Sequence, residues 1–548
     1  MMEPFERIDI QELPLSVPAF RRQVEDFLGR NGLRLEEVDL YMAVLSDDGS
    51  ILAGGGLFRD IIKCIAVSES ARSLGLSVPL ISRLMSIAAD RGYTNVKVFT
   101  KPENRSVFES LGFRVLAEAP KAILMENGRG LEDYCQYLRS FRADGVMIVN
   151  ANPFTLGHRY LVEQAAEAGS LVVIPVKEDL SRFPYPERLE MIRQGSEGLA
   201  DVVEGSDYQI SSATFPTYFL KDLSDASETQ MRLDIDLFGR HIAPALSARV
   251  RFVGSEPADS LTARYNALMK EMLPSYGVGV VEIPRLTDAE GPVTASRVRN
   301  LLDQGRFHAA AALTPPSTKP YLLAALAERA LRMELDTPLK PGLVGPDSSG
   351  AHKYMDYDLM RKGIAAIRPF FPRMALASSP EELRQLGINA ETAMLSATDG
   401  VNTHRGAIFA FALVLYPHPV AETAAILDDG SSKQRDARIK GAMQLAREGY
   451  KALFDKWLPY FRSIKADAFG LQKTLLRILS ELDDTCVIHR AGYKRAQEVK
   501  EEAKELLKNF DEQGLKDLCD RYAREGVSPG GAADMLALTI LIDSLLIL

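Results

Sequence analysis

Cysteine is scarce. The 548 residues hold four, Cys64, Cys135, Cys486 and Cys519. No two stand at Cys-x-x-Cys spacing, which disfavours a thiolate zinc site or a disulfide framework and fits a reducing, cytoplasmic compartment. Long basic runs are missing too. With a formal net charge of −9, nucleic acid is not an expected partner. No apolar run is long enough to cross a bilayer. Residues 535–548 are apolar but carry Asp543, and they fall short of the roughly 20 residues a spanning helix needs. No membrane role is expected, and this stretch reads as a buried helix. The amino terminus is acidic and has no apolar signal core. What remains is an ordinary globular balance, 46% hydrophobic and 25% charged, in a chain longer than one core usually organises. Three or four domains are therefore expected.

The most informative stretch is residues 144–166. Residues 146–149 are a short apolar run suited to a buried parallel strand, and after Gly157 the apolar residues Leu161, Val162, Ala165 and Ala166 recur at helical spacing. Strand, tight turn and helix place unpaired N–H groups and the positive end of a helix dipole at the strand's carboxyl edge, where an anion can bind. Thr155, Gly157 and His158 stand in that turn. Gly157 lets a phosphate approach the backbone, and His158 can donate a hydrogen bond to charge growing on a phosphoryl oxygen.

Ahead of this stretch, strands over 38–45 and 51–57 flank Ser-Asp-Asp-Gly as a hairpin. A strand over 61–67, a helix to about residue 91 and a strand over 96–100 follow. This order, with the segment Asn104 to Phe113 behind it, resembles the acetyltransferase-like (GNAT) fold, an α+β domain over 1–130. The resemblance implies that Arg72-x-x-Gly75-x-Ser77 cradles a pyrophosphate. Because Ser77 stands where Gly or Ala is commoner and no catalytic carboxylate is apparent, it favours docking of a coenzyme-like arm over acetyl transfer, with a purely structural role as the alternative.

Beyond 166, strands over 171–176, 250–253 and 278–283 alternate with helical patterns, as in a doubly wound α/β sheet with its site at the carboxyl ends of the strands. A second helix begins at Thr294 or Ala295 with Ser296, Arg297 and Arg299 in its first turn. Cations there oppose the helix dipole, so a bound anion is the natural explanation. Two helix starts, one with His and one with Ser-Arg-x-Arg, suit the splitting of a nucleoside triphosphate at its α-phosphate. The blocks 150–165, Val176-Lys-Glu-Asp179, Ser181-Arg-Phe-Pro184, Ala213-Thr-Phe-Pro216, Phe252-Val-Gly-Ser-Glu-Pro257 and Ser296-Arg-Val-Arg299 together resemble the acetate:citrate lyase ligase family. The resemblance implies a Rossmann-like, HxGH-type nucleotidyltransferase domain over 131–320. It implies adenylylation of acetate by ATP, and then acetyl transfer to the thiol of the citrate lyase acyl carrier (gamma) subunit. Nucleotide and phosphate contacts would fall on Asn152, Thr155, Gly157, His158, Lys177, Arg188, Ser296, Arg297 and Arg299, with His158 catalytic.

Thr314-Pro-Pro-Ser-Thr-Lys-Pro320 marks a linker, and from residue 321 long helical patterns take over, for example over 322–335, 406–415, 437–453 and 491–509. An all-α domain over 321–548 is expected. Five inter-helix loops collect Gly with carboxylate, His and Arg: 340–352, 355–358, 398–406, 482–490 and 528–534. Carboxylates with small residues suit Mg²⁺ bridging to phosphates. In sequence and order these loops resemble triphosphoribosyl-dephospho-coenzyme A synthase. That resemblance implies attack of a ribose hydroxyl of 3′-dephospho-coenzyme A on the anomeric carbon of ATP, with loss of adenine. It puts catalysis on Asp399, Asp483, Asp484 and His489. Nucleotide and phosphate contacts fall on Lys340, His352, Asn402, His404, Arg405, Arg490, Gly530 and Gly531, and a metal on Asp356, Asp358, Asp484 and Asp534. Together the halves imply a bifunctional citrate lyase maturation enzyme using ATP and Mg²⁺. The alternatives are a pantetheine- or nicotinamide-type adenylyltransferase fused to a non-catalytic carrier-binding module, and prosthetic-group synthesis for malonate decarboxylase.

Overall fold

The computed structural model describes residues 8–177, 181–210, 215–219, 223–256, 259–427 and 441–547. Glu178, Asp179, Ala213, Thr214 and Pro257, from the blocks above, lie outside them, as does the first part of the helix expected over 437–453. The chain divides into two compact units, Met1–Asn152 with Gly157–Val293, and Pro153–Leu156 with Thr294–Leu548. It is a multidomain protein with mixed sheets followed by a helical region.

The first unit holds two large sheets and a two-stranded antiparallel ribbon, Thr287–Asp288 with Gly291–Pro292. Strands β1 (Gln11–Glu12), β2 (Leu40–Leu45), β3 (Ile51–Phe58), β4 (Ile61–Val67), β5 (Val96–Thr100), β6 (Arg114–Ala119) and β7 (Ala122–Asn127) form one sheet in the order β1-β2-β3-β4-β5-β7-β6. Every neighbouring pair is antiparallel except β4 with β5. The β2–β3 hairpin turns where expected. Asp48 Oδ1 accepts from Ser50 N at 3.0 Å, and Gly49 takes a φ of +82° that a residue with a Cβ would resist. Helices α1 (Pro18–Arg30) and α2 (Ser77–Asp90) pack against β3.

The second sheet is all parallel. Its strands are β8 (Gly145–Val149), β9 (Leu171–Pro175), β10 (Asp201–Val202), β11 (Val250–Gly254) and β12 (Gly279–Ile283), in the order β10-β9-β8-β11-β12. β9 is buried along its whole length, as a strand covered on both faces must be. β8 is central and feeds helix α3 (Leu156–Ala166); α4 (Tyr185–Gly195) follows β9. Helix α5 (Leu223–Leu237), from the parallel-sheet portion, lies on β6 and β7, which joins the two sheets in one unit.

Among its described residues the second unit has helices and no strand. The principal ones are α6 (Ala295–Asp303), α7 (Lys319–Leu335), α8 (Tyr357–Ile367), α9 (Pro380–Ala397), α10 (Arg405–Leu415), α11 (Gly470–Leu479), α12 (Thr485–Lys508) and α13 (Gly530–Leu546). The apolar carboxy-terminal run is α13, buried against α7, α10 and α11.

Two expectations change. The stretch expected as a linker, 314–320, is packed: Thr314 and Thr318 are buried, and Thr318 Oγ1 donates to Phe154 O at 2.9 Å. Its prolines shape the entry to α7 rather than a free hinge. The loop expected over 482–490 is mostly helix, because Asp484 caps α12 at Thr485. The break comes later, at Gly492 with φ +85°.

Candidate active sites

At the carboxyl edge of the parallel sheet, Ala151 is held at φ +47°, a conformation unusual for a residue with a Cβ. The cause is the clamp around it. Arg188 of α4 is fully buried, and its guanidinium donates to Phe183 O (3.0 Å), to Asn150 O (2.8 Å) and Oδ1 (3.0 Å), and to Val176 O (2.8 Å). Asn152 Oδ1 accepts from Phe183 N at 3.2 Å. The turn after β8 and the segment around Ser181 and Phe183 are thus tied together, and Arg188 lies beneath them instead of presenting its charge to solvent. Lys177 is half-exposed and faces Asp207 at 3.5 Å.

His158 follows in the first turn of α3. Burial and the nearby Arg285 cation push its pKa down to about 4, so at neutral pH the imidazole is uncharged and can donate one N–H. Arg285, just beyond β12, is itself half-buried. It donates from Nε to Ser255 O at 2.7 Å, pairs with Glu256, and has its pKa lowered by burial. Nothing in the periodicity singles out Arg285. It reaches His158 because β12 and β8 flank β11 in one parallel sheet.

Thr155 and the Ser-Arg-x-Arg helix belong to the helical unit. Thr155 is buried, and Leu156 N donates to Leu313 O at 2.9 Å. Thr294 caps α6 as expected, its Oγ1 accepting from Arg297 N at 3.2 Å. Ser296 is exposed, and Arg297 and Arg299 are half-buried.

A second centre is a cavity within the helical unit, lined among others by His352, Asn402, His404, Arg405, Arg490, Gly530 and Asp534. Two carboxylates, Glu334 and Asp534, line it, and Asp484 is not among the lining residues. Asp484, fully enclosed, accepts from Cys486 N (2.8 Å) and Val487 N (3.2 Å) with Oδ1, and from Ala532 N (2.8 Å) with Oδ2, so one side chain joins the start of α12 to the start of α13. Gly531 lets that carboxylate approach, since a Cβ there would lie 3.1 Å from Asp484 Oδ2. Asp534 sits over the first turn of α10 and accepts from the Ala407 amide. Gly406 makes room for it, a Cβ being 2.0 Å from Asp534 Oδ2. Burial raises the pKa of both acids, and the carboxylates of Glu334 and Asp484 raise that of Asp534 further.

Lys340 is buried and given to Glu334, with Nζ 2.5 Å from Oε1 and 2.6 Å from the main-chain O. Glu334, a cavity-lining residue on α7, was hidden among the apolar positions of a helical pattern. His404 pairs through Nδ1 with Thr403 Oγ1 at 2.8 Å, and burial beside the Lys340 cation pushes its pKa down to about 3. His352 Nε2 meets Ser528 Oγ at 2.8 Å, its pKa lowered by burial and by Arg490. Asn402 Oδ1 accepts from Arg405 N at 3.1 Å, and Arg405 pairs with Glu391.

Several expected residues fall elsewhere. Asp356 caps α8, accepting from Leu359 N at 2.8 Å, and Asp358 is exposed in the next turn, so neither lines the cavity. Asp399 is exposed on a turn at φ +51°. Asp483 is off the cavity lining and pairs with Lys500 at 2.9 Å. His489 is exposed on α12 and off the lining. Among the described residues no three His, Cys, Asp or Glu side chains converge as a metal-binding group, so the expected quartet of Asp356, Asp358, Asp484 and Asp534 is not assembled. No helix among the described residues is long and apolar enough to cross a membrane.

Comparison with known proteins divides the chain at the start of α7. The citrate lyase ligase C-terminal domain family matches residues 144–322. The ATP:dephospho-CoA triphosphoribosyl transferase family matches 320–428 and 421–547. A citrate (pro-3S)-lyase ligase of Klebsiella pneumoniae is 42% identical over 317 residues, covering 55% of this chain and 92% of that protein. The corresponding ligase of Haemophilus influenzae is 39% identical over 333 residues, 58% of this chain and 98% of its own length. A protein of Pseudomonas syringae pv. tomato, named probable 2-(5''-triphosphoribosyl)-3'-dephosphocoenzyme-A synthase, is 34% identical over 274 residues, 42% of this chain and 93% of that protein. The chain therefore belongs to two enzyme families at once, to the citrate lyase ligases through its first part and to the ATP:dephospho-CoA triphosphoribosyl transferases through its second.

Proposed function

We propose that the chain is a bifunctional maturation enzyme for citrate lyase. The observation that carries this reading is that two separately folded relatives, one a ligase and one a synthase, are each matched over nearly their whole length by successive parts of one polypeptide.

In the first activity, acetate attacks the α-phosphorus of ATP, pyrophosphate leaves, and the thiol of the citrate lyase acyl carrier subunit takes the acetyl group and releases AMP. The site is an HxGH-type nucleotidyltransferase edge within residues 131–320. Neutral His158 donates to the phosphoryl oxygen, which serves better than a charged ring because it need not be stripped of its own hydration. Arg285 supplies positive charge beside it, and the family resemblance gives Lys177, Ser296, Arg297 and Arg299 as phosphate contacts. Arg188 acts as a positioning residue through the turn it clamps. The GNAT-like portion, 1–130, docks substrate.

In the second activity, within 321–548, a ribose hydroxyl of 3′-dephospho-coenzyme A displaces adenine from ATP and the triphosphate is kept. Asp534, with Glu334, lines a centre that becomes positive in the transition state, where carboxylates are most useful, and Asp484 acts as a positioning residue through the starts of α12 and α13. Arg405 and Arg490 at the rim take phosphates. Glu334 and Asp534 place two carboxylates on the lining of one cavity, with Lys340 as buried counter-charge to Glu334. The described residues assemble no metal-binding group, so charge neutralisation on the triphosphate falls to Arg405 and Arg490.

The test is product analysis on the whole chain. Incubation with ATP and 3′-dephospho-coenzyme A is expected to give free adenine, and incubation with ATP, acetate and thiol carrier is expected to give AMP. Absence of adenine would remove the second activity, and absence of AMP the first. A dinucleotide product formed without acetate would point to a simple adenylyltransferase instead.

A further inference from the structure

Tyr450, in the helical unit, is 1% exposed, and its buried hydroxyl has no hydrogen-bond partner among the described residues. Other buried tyrosines donate theirs. Tyr41 bonds Cys64 O at 3.4 Å, Tyr218 bonds Phe99 O at 3.5 Å, Tyr522 bonds Glu502 Oε2 at 2.7 Å, and Tyr208 bonds Glu126. A buried O–H without a partner lowers stability, so a core built for packing alone would hold phenylalanine at this position. The backbone fixes the ring all the same. After the short helix Ala442–Arg447, Gly449 and Tyr450 stand at φ +63° and +56°, the second unusual for a residue with a Cβ. Tyr450 N donates to Leu445 O at 2.7 Å, and Tyr450 O accepts from Leu453 N at 2.9 Å and from Phe454 N at 3.2 Å.

The place it is held is beside Asp534. The short helix before Tyr450 packs on α10, and the turn Leu453–Trp457 after it packs on α11 and α13. Asp534, on α13, sits over the first turn of α10. Burial, and then the Asp534 carboxylate, push the Tyr450 phenol above its ordinary pKa, so it keeps its proton and can donate. Asp534 is short of such donors. The Ala407 amide serves it, while burial and the carboxylates of Glu334 and Asp484 work against its charge. Lys340 is given to Glu334 and Arg405 to Glu391, and His404 is kept uncharged by burial beside Lys340. A carboxylate steadies a positive centre only while it is ionised, and the unused phenol is a donor that would favour that state.

We propose that Tyr450 is a positioning residue of the adenine-releasing centre, its hydroxyl the donor kept for the Asp534 carboxylate when the ribose carbon becomes positive. The inference rests on the second activity proposed above. Tyr450 is not on the cavity lining, so it acts through Asp534 and touches neither substrate. Its contribution is made in the transition state, where the carboxylate must carry its full charge, and not in the binding of ATP or 3′-dephospho-coenzyme A.

Adenine release by the full chain, with ATP and 3′-dephospho-coenzyme A as substrates, tests this in Tyr450→Phe, which removes a single oxygen. The expected result is a kcat about tenfold lower with KM for both substrates unchanged. The melting temperature is expected to equal or exceed that of the wild type, since the lost oxygen had no bond to give up. In an Asp534→Asn background the same change is expected to cost nothing further, because the group it serves no longer carries charge. An undiminished kcat, a loss confined to KM, a lower melting temperature, or losses that multiply in the double variant would each overturn the inference. A wild type that releases no adenine would remove the second activity and this inference together, whereas a Tyr450→Phe chain as fast as an active wild type removes the inference alone.

Discussion

Under the proposed activities the two centres handle a triphosphate in opposite ways. At the sheet edge the proposed active side chain is a neutral His158 beside a cation, Arg285, and its support is a main-chain turn clamped by Arg188. At the helical cavity the proposed active group is the lining carboxylate of Asp534, and Asp484 ties the start of α12 to the start of α13. An attack at phosphorus builds negative charge that donors must meet, whereas loss of a base from a ribose builds positive charge that acids must meet. The electrostatic sign of each site follows from the sign of the charge it has to stabilise.

The comparison breaks most visibly if the acids are removed. Asp534→Ala is expected to lower adenine release by about 10²–10⁴-fold with AMP formation intact, measured by product chromatography. Asp484→Ala is expected to do the same and also to lower the melting temperature, since three backbone N–H groups lose their acceptor. Next comes His158→Ala, expected to cut AMP formation by about 10²–10³-fold while adenine release persists. Loss of both products in either variant would mean that the centres are not independent.

Arg188 sharpens the contrast in support. Arg188→Met leaves the carbonyls of Asn150, Val176 and Phe183 without their donor and is expected to cost about 2–4 kcal/mol in denaturant unfolding, with AMP formation falling alongside. Arg188→Lys should not restore it, because one ammonium cannot reproduce the guanidinium fork. A smaller effect concerns pH. His158 has its folded pKa lowered to about 4 from an ordinary 6.5. The unfolded chain therefore binds more protons between those values, and the contribution of this group to stability is full above pH 6.5 and lost as pH falls toward 4. AMP formation is expected to show no His158 inflection near 6.5 and to decline only toward pH 4. The smallest effect belongs to Asp483→Asn, which breaks the pair with Lys500 and is expected to cost about 1 kcal/mol or less with adenine release unchanged. Set against Asp484, its immediate neighbour, which ties α12 to α13, it separates position in sequence from position in the fold.

How much could be read in advance depended on how local each feature is. The hairpin at Gly49, the β8–turn–α3 stretch and the cap at Thr294 are set by residues within a few positions of one another, and the structure has each where periodicity and turn chemistry place it. Arg285 and Glu334 were not legible, because one is brought in by strand order and the other by the packing of α7 on α13. The helical loops were legible as a set but not residue by residue. A carboxylate beside a helix start can cap its own helix, as Asp356 does, or cap one helix and reach another, as Asp484 does, and only the packing decides between them. Arg188 is expected among the phosphate contacts, and the demand of three carbonyls draws its guanidinium inside instead.

The central claim is that one chain holds two separate centres for ATP. Equilibrium titration of the intact protein with ATP under non-turnover conditions, without acetate, carrier or 3′-dephospho-coenzyme A, measures this most directly. Two ATP molecules bound per chain is the predicted result, and saturation at one, or none, would contradict it.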